Sequence, residues 1–167
     1  SDTLNHKLVK ISLADGSVTT WAGTGKMDVK DGALKDAAFK RPFGVAYTKD
    51  GQKVVVSDQH GHTIRVISVA DETVATVAGK FQGFRDAAGD KASFKHPEGL
   101  SVTPDGKYAV VGDGSNHVVR KVDLNSGDVT TLAGTGKPGS GNGKGAQATF
   151  NFPEAVVVAP DGSHVMV

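Results

Sequence analysis

The chain has 167 residues, and its 19 Lys and Arg against 18 Asp and Glu give a formal net charge of +1. This balance excludes the strongly basic composition of a nonspecific nucleic-acid binder and the acidic composition of a disordered tail. There is no cysteine, which excludes disulfide frameworks, thiolate metal sites and cysteine nucleophiles and leaves the compartment undetermined. The longest apolar run, 155–159, is too short to span a bilayer.

The sequence divides without remainder into three copies of one unit, residues 1–56, 57–111 and 112–167. Every copy opens with a Ser or Gly, an Asp, and a His four residues after that Asp. These recurring residues are Asp2, His6, Asp58, His62, Asp113 and His117. Because each unit of such an array buries its faces only against its neighbours, we treat residues 1–167 as a single repeat domain.

The predicted elements recur in the same order in every copy. In the middle copy, four stretches have the composition and length of strands: 54–56, 63–67, 74–78 and 99–103. Asp-Gly pairs stand where two of these strands need a tight turn, at 50–51, 105–106 and 161–162. No segment carries an apolar stripe at helical spacing, so we predict little helix. Four short antiparallel strands per repeated unit predict an all-β fold made of β-propeller blades.

One connector in each copy, following the strands that end at 21–23, 77–79 and 132–134, differs most in character. It is charged in the first copy, carries aromatic residues in the second and is rich in glycine in the third. Variation confined to one connector predicts that recognition takes place there. The candidate interaction residues are Lys26, Lys30, Phe81, Phe84, Arg85, Lys137 and Lys144.

The motifs together resemble the NHL repeat family. Besides the Asp and His of each copy, an Ala-x-Phe-x-x-Pro-x-Gly-Val pattern covers 37–45 and 92–100 closely, and 148–156 with Ala155 in place of the last Gly. The second copy also departs at Gly61, where the family pattern has Asn. The resemblance covers the whole chain. It implies a β-propeller and leaves the activity open, since the family hosts several unrelated functions.

The phase of the repeats predicts an incomplete ring. The chain begins just after the second strand of a blade and ends on another second strand, 165–167, so we expect two whole blades flanked by two half-blades. Propellers usually have about four to eight blades. We therefore expect two chains to close a six-bladed ring as a homodimer, each completing the split blade of the other. The alternative is that the chain is half of a longer six-repeat polypeptide.

The recurring Asp and His pairs admit two interpretations. An Asp and a His four residues apart could form a catalytic dyad or ligate a metal ion. Recurrence at one spacing in every copy favours a structural role, in which the carboxylate accepts backbone N–H groups and the His bridges neighbouring strands. We expect no catalytic residue among them.

An axial cation is the main alternative that the resemblance raises. Related propeller lyases and lactonases hold a metal on the channel axis, and the matching positions here are Phe43, Glu98 and Glu154. Two glutamates at a channel mouth, or four in a closed dimer, could attract Ca²⁺. A solvated acidic mouth without a cofactor is the simpler interpretation.

The function that these patterns favour is a non-enzymatic protein-interaction scaffold with a protein or peptide ligand on its loop face. A propeller hydrolase or lyase with an axial metal ion is the first alternative. RNA binding is the second, and the acidic residues among the basic connectors argue against it. The glycine-rich stretch 134–145 does not match a phosphate-binding loop.

Overall fold

The computed structural model describes all 167 residues, and most of its sheets are antiparallel. The strands run in chain order as β1 (Leu8–Ile11), β2 (Val18–Ala22), β3 (Gly32–Ala33), β4 (Pro42–Tyr47), β5 (Lys53–Asp58), β6 (Thr63–Ser68), β7 (Thr73–Ala78), β8 (Phe81–Gln82), β9 (Ser93–Phe94), β10 (Pro97–Val102), β11 (Tyr108–Asp113), β12 (Val118–Asp123), β13 (Val129–Ala133), β14 (Val157–Val158) and β15 (Val165–Met166). The four strands predicted for the middle copy correspond to β5, β6, β7 and β10.

The sheets are the blades of a propeller. Strands β4 to β7 form the first blade and β10 to β13 the second, each an antiparallel meander in sequence order. Strands β1 and β2 form an N-terminal half-blade, and β14 and β15 form a C-terminal half-blade. This architecture confirms the prediction of an all-β chain with two whole blades flanked by two half-blades.

The connectors contain strands that were not predicted. Strand β3 pairs with β7 and adds a fifth strand to the first blade, while β8 and β9 form a short parallel pair. Each of these strands has two residues, too few for a period-two pattern to be visible in the sequence. The connectors therefore run along the blades instead of looping freely into solvent.

Apolar packing between successive sheets forms the core. The contact of the first and second blades holds eleven buried residues, among them Ile64, Phe94 and Val111. The contact of the N-terminal half-blade with the first blade holds nine, and a third cluster of four joins the second blade to the C-terminal half-blade. The core is thus distributed over the blade interfaces, as expected when β-branched residues cover both faces of a sheet.

The innermost strands approach each other backbone to backbone. A Cβ on Gly44 of β4 would lie 2.6 Å from the carbonyl oxygen of Glu98 in β10. Only glycine permits that approach, which explains the glycine that stands two residues after the proline in the first two copies. The third copy has Ala155 at the equivalent position.

The helical content is confined to five 3-10 turns of three residues each. No helical segment has the length or the apolar composition needed to cross a membrane.

Candidate functional site

The recurring Asp and His residues flank the 3-10 turns that precede β1, β6 and β12. Asp58 and Asp113 end β5 and β11, a 3-10 turn follows, and the His then adopts a left-handed backbone. The φ angles of His6, His62 and His117 are 56°, 57° and 55°. A non-glycine residue in this region is uncommon, so its recurrence points to contacts that hold it there.

Each of these histidines joins one sheet to the next. The Nδ1 of His62 in the first blade accepts the backbone N–H of His96, which precedes the second blade, at 3.3 Å. His6 and His117 accept equivalent bonds from Arg41 at 3.2 Å and Phe152 at 3.1 Å. All three donors are themselves left-handed and precede the proline of the following inner strand. The imidazole must be neutral at Nδ1 to accept this bond.

Acidification is expected to weaken this contact at His62. Burial, followed by the nearby His96 and His60 rings, lowers the pKa of His62 to about 4 from its ordinary value of 6.5. A histidine with a lowered folded-state pKa favours folding fully above its unfolded pKa and loses that contribution as the pH falls toward the folded value. We expect the free energy of unfolding to fall between about pH 6.5 and 4.

Denaturant titrations at several pH values, with the His62 ring followed by NMR, would measure this dependence. His62→Asn is the informative variant, because Asn tolerates a left-handed backbone and its side-chain oxygen can accept the same N–H without titrating. We expect a shallower pH dependence in this variant. An equal slope in the two proteins would contradict the assignment.

A buried ion-pair network lies beneath the same turn in both whole blades. In the first blade Asp58 accepts the backbone N–H of Lys40 at 2.7 Å and a guanidinium N–H of Arg65 at 3.2 Å. Asp58 and Arg65 are both fully buried. Burial raises the pKa of Asp58 to about 6, while Arg65 and the backbone N–H of Lys40 act in the opposite direction.

The same guanidinium ties the connector to its blade. Arg65 donates to the carbonyls of Ala38 at 3.0 Å and Lys30 at 2.9 Å, and it pairs with the half-exposed Asp31 at 2.6 Å. Asp31 in turn accepts the backbone N–H of Thr76 in β7. The guanidinium lies 5.2 Å from the ring of Phe39, within the range of a cation–π contact.

The second blade repeats this arrangement. Arg120 pairs with the buried Asp113 at 2.7 Å and with Asp86 of the connector at 2.6 Å. It donates to the carbonyl of Arg85 at 2.9 Å, and the ring of Phe94 lies 5.0 Å from its guanidinium. Burial raises the pKa of Asp113, against the side-chain amide of Asn116 and the other donors that lower it. The recurrence makes the network a property of the complete blade.

The candidate axial residues Glu98 and Glu154 lie near each other but differ in exposure. Glu98 is buried and accepts the side-chain amide of Gln59 at 2.9 Å, whereas Glu154 is exposed. Burial raises the pKa of Glu98, and the charge of Glu154 adds to that rise. No third His, Asp or Glu joins them in a metal-binding arrangement, and Ca²⁺ takes about six to eight oxygen ligands. Phe43, at the equivalent position of the first blade, is partly exposed.

The structure separates the candidate interaction residues of the connectors into two kinds. Lys30 and Arg85 are held through their backbone carbonyls by the buried arginines, and Phe84 packs 5.2 Å from the guanidinium of Arg120 while half of its surface stays exposed. All seven candidate residues are exposed, and those without such a contact are Lys26, Phe81, Lys137 and Lys144. The first two connectors are therefore attached to their blades by a buried arginine, while their side chains stay exposed.

Sequence reasoning missed the residues that organise this site. The motif predicted from the sequence gave Arg65 and Arg120 no role, and the connector acids, among them Asp31 and Asp86, counted only against RNA binding. The sequence did contain a signal, because these residues recur together. In the first two copies an Asp stands eight residues before the Phe of the connector, and the copy that follows each of them carries the Arg.

The chain is similar to several known proteins, although no protein-family model matches it. "NHL repeat-containing protein 2" of Gallus gallus is 33% identical over 167 residues, which cover 93% of this chain and 23% of that protein. "Protein SUPPRESSOR OF QUENCHING 1, chloroplastic" of Arabidopsis thaliana is 26% identical over 168 residues, covering 94% of this chain and 16% of that protein. The chain thus spans less than a quarter of the length of these relatives.

Solved structures show the same fold. An auxiliary nutrient binding protein from Bacteroides thetaiotaomicron superimposes with a TM-score of 0.71 at 21% identity, over 93% of this chain and 38% of that chain. At this identity the likeness concerns the propeller architecture alone.

Proposed function

Because this chain belongs to the NHL-repeat β-propellers, we propose that it is a non-enzymatic protein-interaction scaffold that closes with a second copy into a six-bladed ring. Its repeats are residues 1–56, 57–111 and 112–167, so that two copies supply six. The observation that carries the proposal is the pair of half-blades, each of which leaves a strand edge and an apolar face without a neighbouring strand. Such edges favour pairing with another chain.

The exposed connector tips support a protein or peptide as the ligand. Phe81 and Phe84 are 67% and 50% exposed on a connector whose backbone is fixed by Arg120. Exposed aromatic side chains on a rigid support lose little conformational freedom when a partner covers them. Arg41, His60 and His96 border the turns on which the histidines lie. Burial lowers the pKa of His60 and of His96, so Arg41 is the one cation of the three at neutral pH and would favour a carboxylate of the peptide.

Light scattering across a concentration series tests the assembly. We expect the mass of two chains at high protein concentration and a reversible shift toward one chain on dilution. A mass that stays at one chain throughout would contradict closure by a second copy and leave a longer polypeptide as the source of the remaining blades. A mass that grows without limit would show an open filament instead of a ring.

A further inference from the structure

The contacts between successive sheets use a constant set of positions. Ile67 of β6 and Val74 of β7 face the N-terminal half-blade and are 0% and 2% exposed. The equivalent pair of the second blade is buried to the same extent. In the N-terminal half-blade the same positions hold Ile11 and Val18, each 60% exposed. This hairpin therefore carries an interface surface that no other part of residues 1–167 covers.

The opposite end of the chain carries an apolar cavity that this surface could fill. A cavity of about 560 Å³ lies between the second blade and the C-terminal half-blade. Its apolar lining includes Val110, Val119, Leu132, Phe150 and Val165. A whole blade would place its third and fourth strands over this hollow, and β1 and β2 are strands of that kind.

The charged positions change together at these two ends. Inside the chain, one carboxylate in each of the first two connectors pairs with an arginine of the blade that the connector enters, Asp31 with Arg65 and Asp86 with Arg120. Val9 occupies the arginine position in β1, and Asn142 occupies the carboxylate position in the third connector. If β1 of a second copy completed the C-terminal half-blade, its Val9 would face Asn142 of the third connector.

The aromatic position completes the match. Phe39 and Phe94 are fully buried beneath the guanidinium of the blade that they enter. The equivalent Phe150 is only partly buried and lines the cavity. Opposite Val9 it would pack against an apolar side chain, and no buried cation would need a counter-ion. Docking β1 onto either other connector would instead leave the half-exposed Asp31 or Asp86 without its arginine and lose that salt bridge.

We propose that the β1–β2 hairpin of one copy fills the cavity at the C-terminal half-blade of a second copy, and that the uncharged contact of Val9 with Asn142 and Phe150 selects this pairing. The inference rests on the proposed ring closure and names its docking residues. Strand pairing would follow the whole blades, in which Val54 stands opposite Ile67 and Val55 opposite Val66. That register places Val165 opposite Ile11 and Met166 opposite Lys10 of the second copy.

One position sets the spacing of this junction. In the chain, glycines let the inner strands approach so closely that a Cβ would overlap the neighbouring carbonyl oxygen, as for Gly99 against Glu154. Ala155 is the equivalent residue at the junction, so its methyl group holds the two copies slightly further apart. We therefore expect looser packing at the junction than between the two whole blades, and Ala155→Gly should lower the dissociation constant of the dimer.

A double-mutant cycle on the 167-residue chain tests the contact. The dissociation constant of the dimer is measured by sedimentation for the original chain, Val9→Arg, Asn142→Asp and the double variant. Residues 9 and 142 lie at opposite ends of one chain, so they can interact only across a junction. We expect the double variant to bind about tenfold more tightly per junction than the product of the single effects predicts. An arginine introduced at Val9 could also contact Asp2 of its own chain. That effect is present in both variants that carry the arginine, so it cancels in the cycle.

Two further variants keep the result interpretable. Thr19→Arg adds the same charge at a β2 position whose equivalents, Ala75 and Thr130, stay exposed in the whole blades, and it should leave the dissociation constant unchanged. Ile11→Asp should abolish the dimer while leaving circular dichroism intact, because Ile11 is exposed in the single chain. A dimer without coupling between positions 9 and 142 would overturn this inference but not ring closure. A chain that is monomeric at every concentration would overturn both.

Discussion

Replacing Arg120 by Met is expected to lower the free energy of unfolding by about 3–5 kcal/mol, the range for removing one partner of a buried ion pair. The change leaves Asp113 fully buried, with only the backbone N–H of Lys95 and the amide of Asn116 as donors. It also weakens the attachment of the connector, because the carbonyl of Arg85 keeps only the backbone N–H of Ser93 and the carboxylate of Asp86 keeps only Thr131. Denaturant unfolding followed by circular dichroism measures the effect.

Lys121→Met is the matched control, since Lys121 is the next residue of β12 and is only partly buried. We expect it to change the stability by less than about 0.5 kcal/mol. The Arg120→Met, Asp113→Asn double variant should recover part of the loss, because it removes the uncompensated charge together with its cause. Similar stability of Arg120→Met and Lys121→Met would contradict the role given to the network.

Replacing Gly79 by Ala should cost about 3 kcal/mol, combining backbone strain with overpacking. Gly79 has a φ of 88°, and a Cβ there would overlap the carbonyl oxygen of His62 and lie 2.9 Å from the ring of Phe94. Both neighbours belong to the turn and the connector that join the first blade to the second. The methyl group would therefore force apart an interface that holds the largest buried cluster.

The variant Gly16→Ala separates the cost of backbone strain from the cost of overpacking. Gly16 also has a positive φ, of 72°, but no atom lies within 4 Å of a Cβ built there. Its substitution should cost only about 1 kcal/mol, the strain alone. Melting temperatures of the two variants provide the comparison, and an equal loss would show that the close approach at Gly79 is relieved without cost.

The repeated sequence was sufficient to predict the blades. β-branched runs such as 54–56 and turns such as 50–51 are local signals, and the phase of the copies predicted the two half-blades. The short strands of the connectors were not predictable in this way. Strands such as β3 are held by tertiary hydrogen bonds, and an Asp in a mixed-charge connector looks solvated until the buried arginine that binds it is known.

The histidines show a second limit of the sequence. Their recurrence predicted a common structural duty, and His62 does accept a backbone N–H. The sequence could not indicate that the donor lies in the next sheet, or that donor and acceptor both have left-handed backbones. Backbone conformation at a non-glycine residue is decided by the packing around it and leaves little trace in residue type.

Disulfide cross-linking between positions Lys10 and Met166 provides a direct test of ring closure by a second copy, because the chain has no cysteine of its own. The equivalent residues of the first blade, Val66 and Val55, stand directly opposite each other, and the bond from Val69 N–H to the carbonyl of Gln52 places them in a closely spaced, non-hydrogen-bonded pair. Such a pair has a Cα separation of about 4.5 Å, which a disulfide can bridge.

The Lys10→Cys, Met166→Cys chain should oxidise to a covalent dimer with one disulfide at each junction and no larger species. The Ser12→Cys, Met166→Cys chain is the control, because its cysteines would stand two residues out of register and beyond bridging distance. We expect a discrete dimer from the first chain only. A monomer, or a ladder of higher oligomers, from that chain would contradict the closed ring.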